Sequence, residues 1–466
     1  MPIPMGVIVE TGETHPPVTE AVLDIISPEA KAILTHARER KKLAIVATVT
    51  DPMDLSKSGW GVLFASDADP EVARQLQPLL EWRRGQVNND QLFKVFEKSA
   101  GVRAGQSAQG WVAAKGVTLN APVDPENGVP YYLLIVGSPA RIPFEFQHLL
   151  DSQWSVGRLH FDNIDDYRAY ATHVVEYERG AAAARQRLLA LWMTKNKGDA
   201  ATARVAGTLG PDFLGEAPKM HPIGRAQRFR IASYIGDDAT KAKIGEVFRG
   251  AIPGGPPALI FTASHGAEFA AADAEVQRRR QGALITQEWM RGQPVRPEQY
   301  FSADDLTPGA AVHGAIVFIF ACFGAGCPAV DSYLRAPDGS ALRLAPEPFI
   351  ARLPQALLSR GALAVVAHVD RAFSYSFHDV LGTAHTQLLR DPLDRIMLGQ
   401  RVGAAVEALN SSWGTLAAEL GLLLATAPRS AAATSAAVNL AIAREDSRNY
   451  VVLGDPAVRL DVARLR

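Results

Sequence analysis

Two residue types suited to acyl-transfer chemistry each follow a short apolar run in this sequence. Cys322 follows the run of residues 315–321, and His265 with Gly266 follows the run of residues 257–264. A thiolate is a strong nucleophile, and an adjacent imidazole can remove the thiol proton and later donate it to a leaving group. The residue types therefore indicate a Cys–His pair that attacks a carbonyl carbon.

The two apolar runs are the elements that must position this pair. Both are short, contain β-branched and aromatic residues and are followed by glycine, which is typical of central strands in a parallel sheet. The reactive edge of such a sheet lies beyond the carboxyl ends of its strands. We therefore expect His265 and Cys322 to meet at that edge.

Two backbone groups beside the pair are candidate donors of an oxyanion hole. Gly266 has no Cβ to keep a substrate carbonyl away from its N–H, and the N–H of Cys322 is the other candidate. From the residues alone, the alternative is that Cys322 is a small buried hydrophobe and His265 a strand-end capping residue. Both interpretations stay open at this level.

The chain alternates strand-like and helix-like segments, which predicts an α/β fold with a mostly parallel sheet and helices on both faces. We place a boundary near Glu178, between a smaller α/β subdomain (residues 1–178) and a larger catalytic domain (residues 179–466). Long connections at residues 267–311 and 323–348 are expected to form substrate walls or lids. The predicted strands are residues 43–49, 61–65, 131–136, 155–158, 204–207, 229–234, 258–264, 315–322, 361–368 and 450–453, and the predicted helices are residues 70–84, 164–178, 181–192, 240–249, 350–359 and 391–424.

Charge balance and cysteine count narrow the classes of function. Lys and Arg (48) nearly cancel Asp and Glu (49), so no overall field favours nucleic acid or an anionic membrane as the partner. Two cysteines, Cys322 and Cys327, are too few for a disulfide-stapled scaffold or a multi-cysteine metal site. The sequence has no P-loop, dinucleotide fingerprint or calcium loop, and we expect no cofactor or metal. Its first residues lack the features of a secretory signal, so we expect a cytoplasmic protein.

Two motifs frame the candidate pair, Ala263-Ser-His265-Gly266 and Phe320-Ala-Cys322-Phe-Gly-Ala-Gly326. They resemble the caspase-like (clan CD) cysteine peptidases, and within these the gingipain-type and CHAT peptidases of bacteria. The caspase branch places its histidine about 50 residues before a Gln-Ala-Cys-X-Gly motif. In this sequence Phe320 stands where that Gln would be.

Further segments resemble gingipain-type peptidases in their order along the chain. Residues 132–137, 142–143, 156–158 and 177–178 resemble the N-terminal subdomain of that family and its exit, and residues 450–456 resemble its C-terminal strand. The resemblance covers residues 131–460, whereas the residues before 128 match only in general α/β character. It implies a caspase-like fold preceded by a gingipain-like subdomain from about residue 131.

The resemblance also implies roles for the site residues. Cys322 would be the nucleophile, His265 the general base and acid, and the N–H groups of Gly266 and Cys322 the oxyanion donors. The reaction would be hydrolysis of peptide bonds in a protein or peptide substrate through a thioester. Some family members use an acidic residue to assist the histidine, and Glu268 is the candidate nearest in sequence.

Residues 367–374 lie where family members build part of the primary specificity pocket. Asp370 would receive a basic side chain, Arg371 an acidic one, and Phe373 with Tyr375 would wall an apolar slot. We predict a preference for basic residues through Asp370. The alternative is that Asp370 and Arg371 form an ion pair at the surface.

The segment after His265 contains Arg278-Arg279-Arg280, which is a candidate self-cleavage site in a peptidase that prefers basic residues, or else a solvated face. Trp289 is interpreted as a packing anchor of this segment. A disulfide between the two cysteines would silence the nucleophile, but a reducing compartment disfavours it. Three histidines near strand ends are interpreted as structural: His313, His368 and His378.

A second class of function shares the same motifs: a catalytically silent caspase-like scaffold or adaptor. An unrelated α/β hydrolase with a thiol nucleophile would need a Gly-X-Cys-X-Gly elbow, which Phe320 breaks. Labelling by a thiol-reactive peptide separates the enzyme from the scaffold.

Overall fold

The computed structural model describes residues 6–14, 51–119, 121–126, 128–216, 220–271, 273–335, 338–426 and 431–466. The predicted strand at residues 43–49 lies outside the described residues. The described strands are β1 (Gly6–Ile8), β2 (Trp60–Phe64), β3 (Phe93–Phe96), β4 (Tyr132–Val136), β5 (Ser155–Leu159), β6 (Gln186–Met193), β7 (Arg230–Ile235), β8 (Pro257–Ala263), β9 (Gly266–Glu268), β10 (Leu284–Ile285), β11 (Tyr300–Phe301), β12 (Ile316–Phe320), β13 (Gly326–Cys327), β14 (Val330–Arg335), β15 (Ala341–Arg343), β16 (Phe349–Ile350), β17 (Ala364–His368) and β18 (Tyr450–Gly454).

Helices flank these strands along the chain. They are α1 (Leu55–Ser58), α2 (Pro70–Gln75), α3 (Gln77–Val87), α4 (Ala108–Ala113), α5 (Phe144–Asp151), α6 (Ile164–Arg179), α7 (Ala200–Leu214), α8 (Lys241–Arg249), α9 (Ala274–Arg280), α10 (Arg352–Ser359), α11 (Gln387–Met397), α12 (Val402–Ala405), α13 (Glu407–Thr426) and α14 (Ala431–Arg448).

A ten-stranded sheet forms the centre of the molecule, in the order β3-β2-β4-β5-β18-β17-β12-β8-β6-β7. Its neighbouring strands pair in parallel except β17 and β18, which are antiparallel. Every residue of β4, β12, β17 and β18 is buried. Burial on both faces explains why these strands are continuous apolar runs. The predicted α/β fold with a mostly parallel sheet is confirmed.

The register of two central strands brings the candidate pair together. Phe320 of β12 pairs with Ala263 of β8, and the strands run in parallel. Cys322 and His265 therefore each lie two residues beyond the same rung of the sheet, as predicted for the carboxyl edge.

A small second sheet supports this edge. Its order is β1-β9-β10-β11, and β9 begins at Gly266. Gly6 of β1 pairs in parallel with Gly266, and Leu284 of β10 pairs with it from the other side. The long connection at residues 267–311 thus folds into α9, β10 and β11, and the start of the chain also contributes a strand.

Two predicted elements were wrong, and they adjoin each other. Residues 181–192 were predicted to be helical but contain β6, and residues 204–207 were predicted to be a strand but lie inside α7. The Ala- and Leu-rich composition of β6 favours a helix in isolation, but six of its eight residues are buried between β8 and β7. The tertiary context therefore overrides intrinsic propensity.

Two predicted helices are interrupted. Residues 70–84 form α2 and α3 with a break at Leu76, and residues 391–424 span α11, α12 and α13. Gly399 lies two residues after the end of α11 and has a φ of 81°. Such a left-handed glycine is a common helix terminator.

The predicted boundary near Glu178 lies within one continuous sheet. Val452 of β18 pairs in parallel with Gly157 of β5, which joins the first four strands to the other six. Buried Arg83 reinforces this connection, because its Nε lies 2.7 Å from Oδ2 of Asp455 and its guanidinium also pairs with Glu178.

Candidate active site

His265 is held by a buried carboxylate and a buried indole. Its Nε2 lies 2.9 Å from Oδ2 of Asp199, and both side chains are buried. The ring of Trp289 meets the imidazole edge-on, with 5.7 Å between ring centres. Nδ1 of His265 is buried and has no hydrogen-bond partner among the described residues. The imidazole is thus oriented at Nε2 and available at Nδ1.

Asp199 is placed by the start of a helix. It is the N-cap of α7 and accepts hydrogen bonds from the N–H of Thr202 at 2.8 Å and from its hydroxyl at 2.7 Å. Burial raises the pKa of Asp199, but the hydrogen bonds from His265 and Thr202 outweigh that effect and hold the pKa below its usual value. An ionised Asp199 accepts the Nε2–H of His265, which leaves the lone pair on Nδ1.

Sequence reasoning missed Asp199 and selected Glu268 instead. Glu268 is not the partner of His265, because its carboxylate faces Arg371, with 3.8 Å between Oε1 and Nη2. The signal for Asp199 was the capping pattern Asp199-Ala-Ala-Thr202 after an apolar run. The pattern was overlooked because the region of β6 was predicted to be a helix and part of α7 was predicted to be a strand.

Cys322 is fully buried, and its sulfur faces the segment that follows β17. The N–H of Ala372 donates to Sγ at 3.3 Å, and the carbonyl oxygen of Ala372 lies 3.7 Å from Sγ. Burial raises the pKa of the Cys322 thiol well above its usual value, and the hydrogen bond from Ala372 acts in the opposite direction. The thiol is therefore neutral in this closed arrangement.

The chain turns after Cys322 but stays hydrogen-bonded to the end of β17 and to the segment that follows it. Phe323 has a φ of 57°, which is rare for a residue with a side chain. Its N–H donates to the carbonyl of Asp370 at 2.8 Å, and the N–H of Ala325 donates to the carbonyl of His368 at 2.8 Å. We call residues 369–377 the cover segment, because this segment lies over the sulfur.

Gly266 contacts the backbone of Cys322 directly. A Cβ at position 266 would lie 1.9 Å from the carbonyl oxygen of Cys322 and 3.0 Å from its nitrogen. The glycine was predicted to give a substrate room near its N–H, but the structure requires it first for this backbone contact. Among the backbone hydrogen bonds of the described residues, none is donated by the N–H of Cys322.

The structure brings His265, Gly266 and Cys322 to one buried edge without joining the two reactive side chains. No hydrogen bond between described residues links the imidazole of His265 to the thiol of Cys322. All three residues are buried. A substrate therefore reaches them only after the surrounding segments move.

The residues predicted to determine specificity lie inside the protein. Asp370 and Arg371 are 1% and 3% exposed, so the alternative of a surface ion pair is wrong. Arg371 pairs with Asp331 at 2.5 Å, whereas Asp370 accepts the N–H of Arg371 on Oδ1 and has no hydrogen-bond partner on Oδ2 within the described part of the chain. Burial raises the pKa of Asp370 to about 7, although Arg371 opposes this rise. Phe373 is buried against Tyr333, with 5.0 Å between ring centres.

The arginine run forms the last turn of α9. Arg278 pairs with Glu347, and Arg279 and Arg280 lie 2.8 and 3.4 Å from the carboxylate of Asp304. The run is thus helical and compensated by carboxylates, with Arg278 and Arg279 exposed and Arg280 half-buried.

Several side chains have structural contacts. Trp289 is 1% exposed and donates to the carbonyl of Gln293 at 2.8 Å, which confirms its interpretation as a packing anchor. Cys322 and Cys327 are both free thiols, so no disulfide joins them. Ring nitrogens of His313 and His368 lie 2.9 Å from backbone carbonyls.

Among the described residues, no group of three or more His, Cys, Asp or Glu could hold a metal ion, and no helix is long and apolar enough to cross a membrane.

Comparison with known proteins gives structural similarity at low sequence identity. No family model and no curated protein matches the sequence. A solved structure described as a protease is 11% identical, with a TM-score of 0.48 over 88% of this chain and 80% of that chain. Two structures of the Saccharomyces cerevisiae separase–securin complex are 11% and 12% identical, with TM-scores of 0.33 and 0.32. These two matches cover 70% of this chain, but this chain spans only 16% and 15% of the matched chains.

Proposed function

We propose that this protein is a cysteine endopeptidase in which Cys322 is the nucleophile, His265 the general base and acid, and Asp199 the residue that orients His265. The observation that carries the proposal is the buried hydrogen bond from His265 to Asp199, at 2.9 Å, beside the backbone contact of Gly266 with Cys322. A nucleophile, a base and a group that orients the base are the parts required for acyl transfer.

The proposed reaction follows from the tautomer that Asp199 selects. Nδ1 of His265 takes the proton of Cys322, and the thiolate attacks the carbonyl carbon of the substrate. The N–H groups of Gly266 and Cys322 are the proposed donors to the resulting oxyanion. Nδ1 then gives its proton to the leaving amine as the C–N bond breaks and a thioester remains. Water, deprotonated by His265, hydrolyses the thioester and restores Cys322.

The proposed peptidase rests in a closed state. Cys322 and His265 are both fully buried, and the cover segment occupies the space next to the sulfur. A substrate carbonyl has to lie next to both Sγ and the oxyanion donors. The site therefore has to open around Sγ before catalysis, while the N–H of Ala372 keeps its contact with the sulfur.

Asp370 is the proposed determinant of a preference for basic residues. Its Oδ2 is buried and has no hydrogen-bond partner among the residues that the structure describes, and Arg371 pairs with Asp331. A carboxylate with a free oxygen next to the nucleophile suits a Lys or Arg side chain better than an acidic one. Peptides with Arg, Lys, Asp or Leu before the scissile bond test this, and preferred cleavage after Asp would reject it.

Self-cleavage at Arg278, Arg279 or Arg280 is proposed as an activation step. Since these residues form a helical turn with carboxylate partners, the turn must unwind before an active site can bind it in extended form. Intact-mass spectrometry of active wild type beside Cys322→Ala tests the step. An active preparation that contains intact chain alone would reject it.

The burial of the thiol favours a second candidate function, a catalytically silent caspase-like scaffold. Cys322 is fully buried, and its pKa is raised well above the usual value by that burial. A scaffold would keep the fold without ever opening the site.

An irreversible thiol-reactive peptide with a basic residue separates the two functions. For the peptidase we expect one covalent adduct on Cys322, lost in both Cys322→Ala and His265→Ala. Cys327→Ala is the matched control and should keep the adduct, because Cys327 lies in β13 and outside the proposed machinery. The absence of labelling and of peptide cleavage in folded wild type would favour the scaffold.

A further inference from the structure

A buried network anchors the cover segment to α14. Asp446 of this helix accepts the N–H of Phe373 and the hydroxyl of Ser376, each at 2.8 Å. Nε2 of His368 lies 3.2 Å from Oδ1 of Asp446, and the hydroxyl of Tyr450 donates to Oγ of Ser376 at 2.7 Å. These five residues are each 5% exposed or less. One carboxylate thus holds residues 373 and 376 of the cover segment, directly after Ala372.

His368 adds a second attachment between β17 and the cover segment. Its Nδ1 lies 2.9 Å from the carbonyl oxygen of Asp370, while Nε2 lies 2.9 Å from the carbonyl oxygen of Asp446 and 3.2 Å from its Oδ1. Burial lowers the pKa of His368, but the hydrogen bond and charge of the Asp446 carboxylate, together with the carbonyl oxygens of Asp370 and Asp446, outweigh it and the net pKa is raised. The ring thus links residue 370 to α14 through its two nitrogens.

We propose that Asp446 is a positioning residue for the nucleophile: through His368, Phe373 and Ser376 it holds the N–H of Ala372 as a hydrogen-bond donor to the sulfur of Cys322. The 3.3 Å contact of this N–H with Sγ is the observation that links the network to the nucleophile. A hydrogen bond to the charged form favours that form, so the donor stabilises the thiolate over the thiol. The proposal deepens the proposed function by explaining how a buried thiol is prepared for attack.

The other ionisable groups that act on the sulfur belong to neighbouring elements. They are Arg371 and Asp370 on the cover segment, Glu268 on β9 and Tyr450 on β18. The substitution Asp446→Asn leaves all four side chains in place. It also keeps the size of residue 446, so it weakens the anchor without opening a cavity.

The test is the alkylation rate of Cys322 by iodoacetamide, measured by peptide mass spectrometry at several pH values below the thiol pKa. We expect Asp446→Asn to raise the pKa of Cys322 by about one unit, which lowers the thiolate fraction about tenfold. A thiolate of higher pKa is intrinsically more nucleophilic, so the net rate should fall about threefold. Ser376→Ala removes one anchor and should lower the rate less, which keeps the test informative if Asp446→Asn folds poorly.

The direction of the change in alkylation rate distinguishes a positioning role of Asp446 from a role in covering the sulfur. If Asp446 only holds the segment shut, the substitution exposes the sulfur and the rate at Cys322 rises. An unchanged or increased rate in folded Asp446→Asn and Ser376→Ala would overturn the proposal. Cys327 in the same chain reports general loosening and should keep its rate. Asp212→Asn, which alters a buried carboxylate paired with Arg390 at 3.1 Å, is the matched control and should behave as wild type.

The experiment does not require peptide hydrolysis. A chain that alkylates as expected but cleaves no peptide would reject the proposed peptidase and leave the positioning role in place. A chain that cleaves peptides but shows no fall in alkylation rate would reject the positioning role alone.

Discussion

Asp199 performs two tasks with one carboxylate. It caps α7 through the N–H of Thr202 and holds Nε2 of His265 at 2.9 Å. The cap depends on an acceptor oxygen, which Asn also supplies, whereas selection of the His265 tautomer and stabilisation of the imidazolium depend on the negative charge. The two tasks are therefore separable by substitution.

We expect Asp199→Asn to lower kcat about 100- to 10,000-fold and to change the free energy of unfolding by less than about 1 kcal/mol. Asp199→Ala should lose activity similarly and also lose about 1 kcal/mol of stability with the cap. Peptide hydrolysis and urea unfolding provide the two measurements. The matched control is Asn163→Ala, which removes the cap of α6 and should cost stability at unchanged kcat. Full activity in Asp199→Asn would contradict the assigned role.

Asp370 should make stability depend on pH. Its folded pKa, about 7, is above its usual value because it is buried, so the folded protein binds this proton more tightly than the unfolded chain. The stability contributed by the protonated group is present at low pH and decreases as pH rises from about 4 to about 7. Asp370→Asn cannot ionise, so its stability relative to wild type should increase across this window, by on the order of 1–3 kcal/mol. Urea unfolding at pH 5 and pH 8 measures the difference, and a constant offset would contradict it.

The residues that sequence reasoning found at the site are those whose position depends on strand ends. Cys322 and His265 each follow an apolar run, and parallel pairing fixes where such runs end relative to each other. Asp199 follows β6, which is distant from His265 in sequence but pairs directly with β8 in the sheet. Distance along the chain therefore misdirected the choice to Glu268. Nearness in sequence is a poor guide where neighbours in a sheet come from distant segments.

At the scale of elements, β9 must pass against the backbone of Cys322. Gly266→Ala should therefore lower the free energy of unfolding by about 2 kcal/mol or more, because its Cβ would meet the carbonyl oxygen of Cys322 at 1.9 Å. Gly207→Ala is the matched control: Gly207 lies inside α7 with nothing within 4 Å of the added Cβ. There the alanine should raise stability by up to about 1 kcal/mol. Equal stability of both variants would show that β9 moves away without cost.

The alternation of strand-like and helix-like segments predicted the fold class correctly. It did not always predict whether an individual segment is a strand or a helix. β12 and β17 were predicted because buried parallel strands are continuous apolar runs. β6 has the same burial with a composition of good helix formers, so its sequence carries two conflicting signals. Only its pairing with β8 and β7, which is a property of the whole sheet, resolves them.

At the scale of the whole molecule, Asp455 joins the two parts of the sheet. Its carboxylate accepts a hydrogen bond from Nε of Arg83 at 2.7 Å and another from Nε1 of Trp60 at 3.0 Å. Burial lowers the pKa of Arg83, but Asp455 and Glu178 outweigh it and the net pKa is raised. Arg83 is therefore a cation whose buried state depends on these carboxylates.

We expect Asp455→Ala to destabilise the protein by about 3–5 kcal/mol, because removal of one partner leaves a buried charge incompletely compensated. Guanidinium unfolding measures the change. Because the ten strands form one sheet, the transition should stay single rather than split at residue 178. Asp304→Ala, which removes an exposed partner of Arg279, is the control and should cost less than about 1 kcal/mol. A loss that small for Asp455→Ala would contradict the role of this pair.

Two backbone hydrogen bonds just past Cys322 make movement at this edge of the site observable by hydrogen exchange. The N–H of Phe323 is bonded to the carbonyl oxygen of Asp370 in the cover segment, and the N–H of Ala325 to that of His368 at the end of β17. Both amides therefore exchange with solvent only when residues 368–370 separate from them. Their deuterium uptake therefore reports how often residues 368–370 leave the loop that carries Cys322. It measures, without any substrate, how firmly the N–H of Ala372 is kept beside the sulfur.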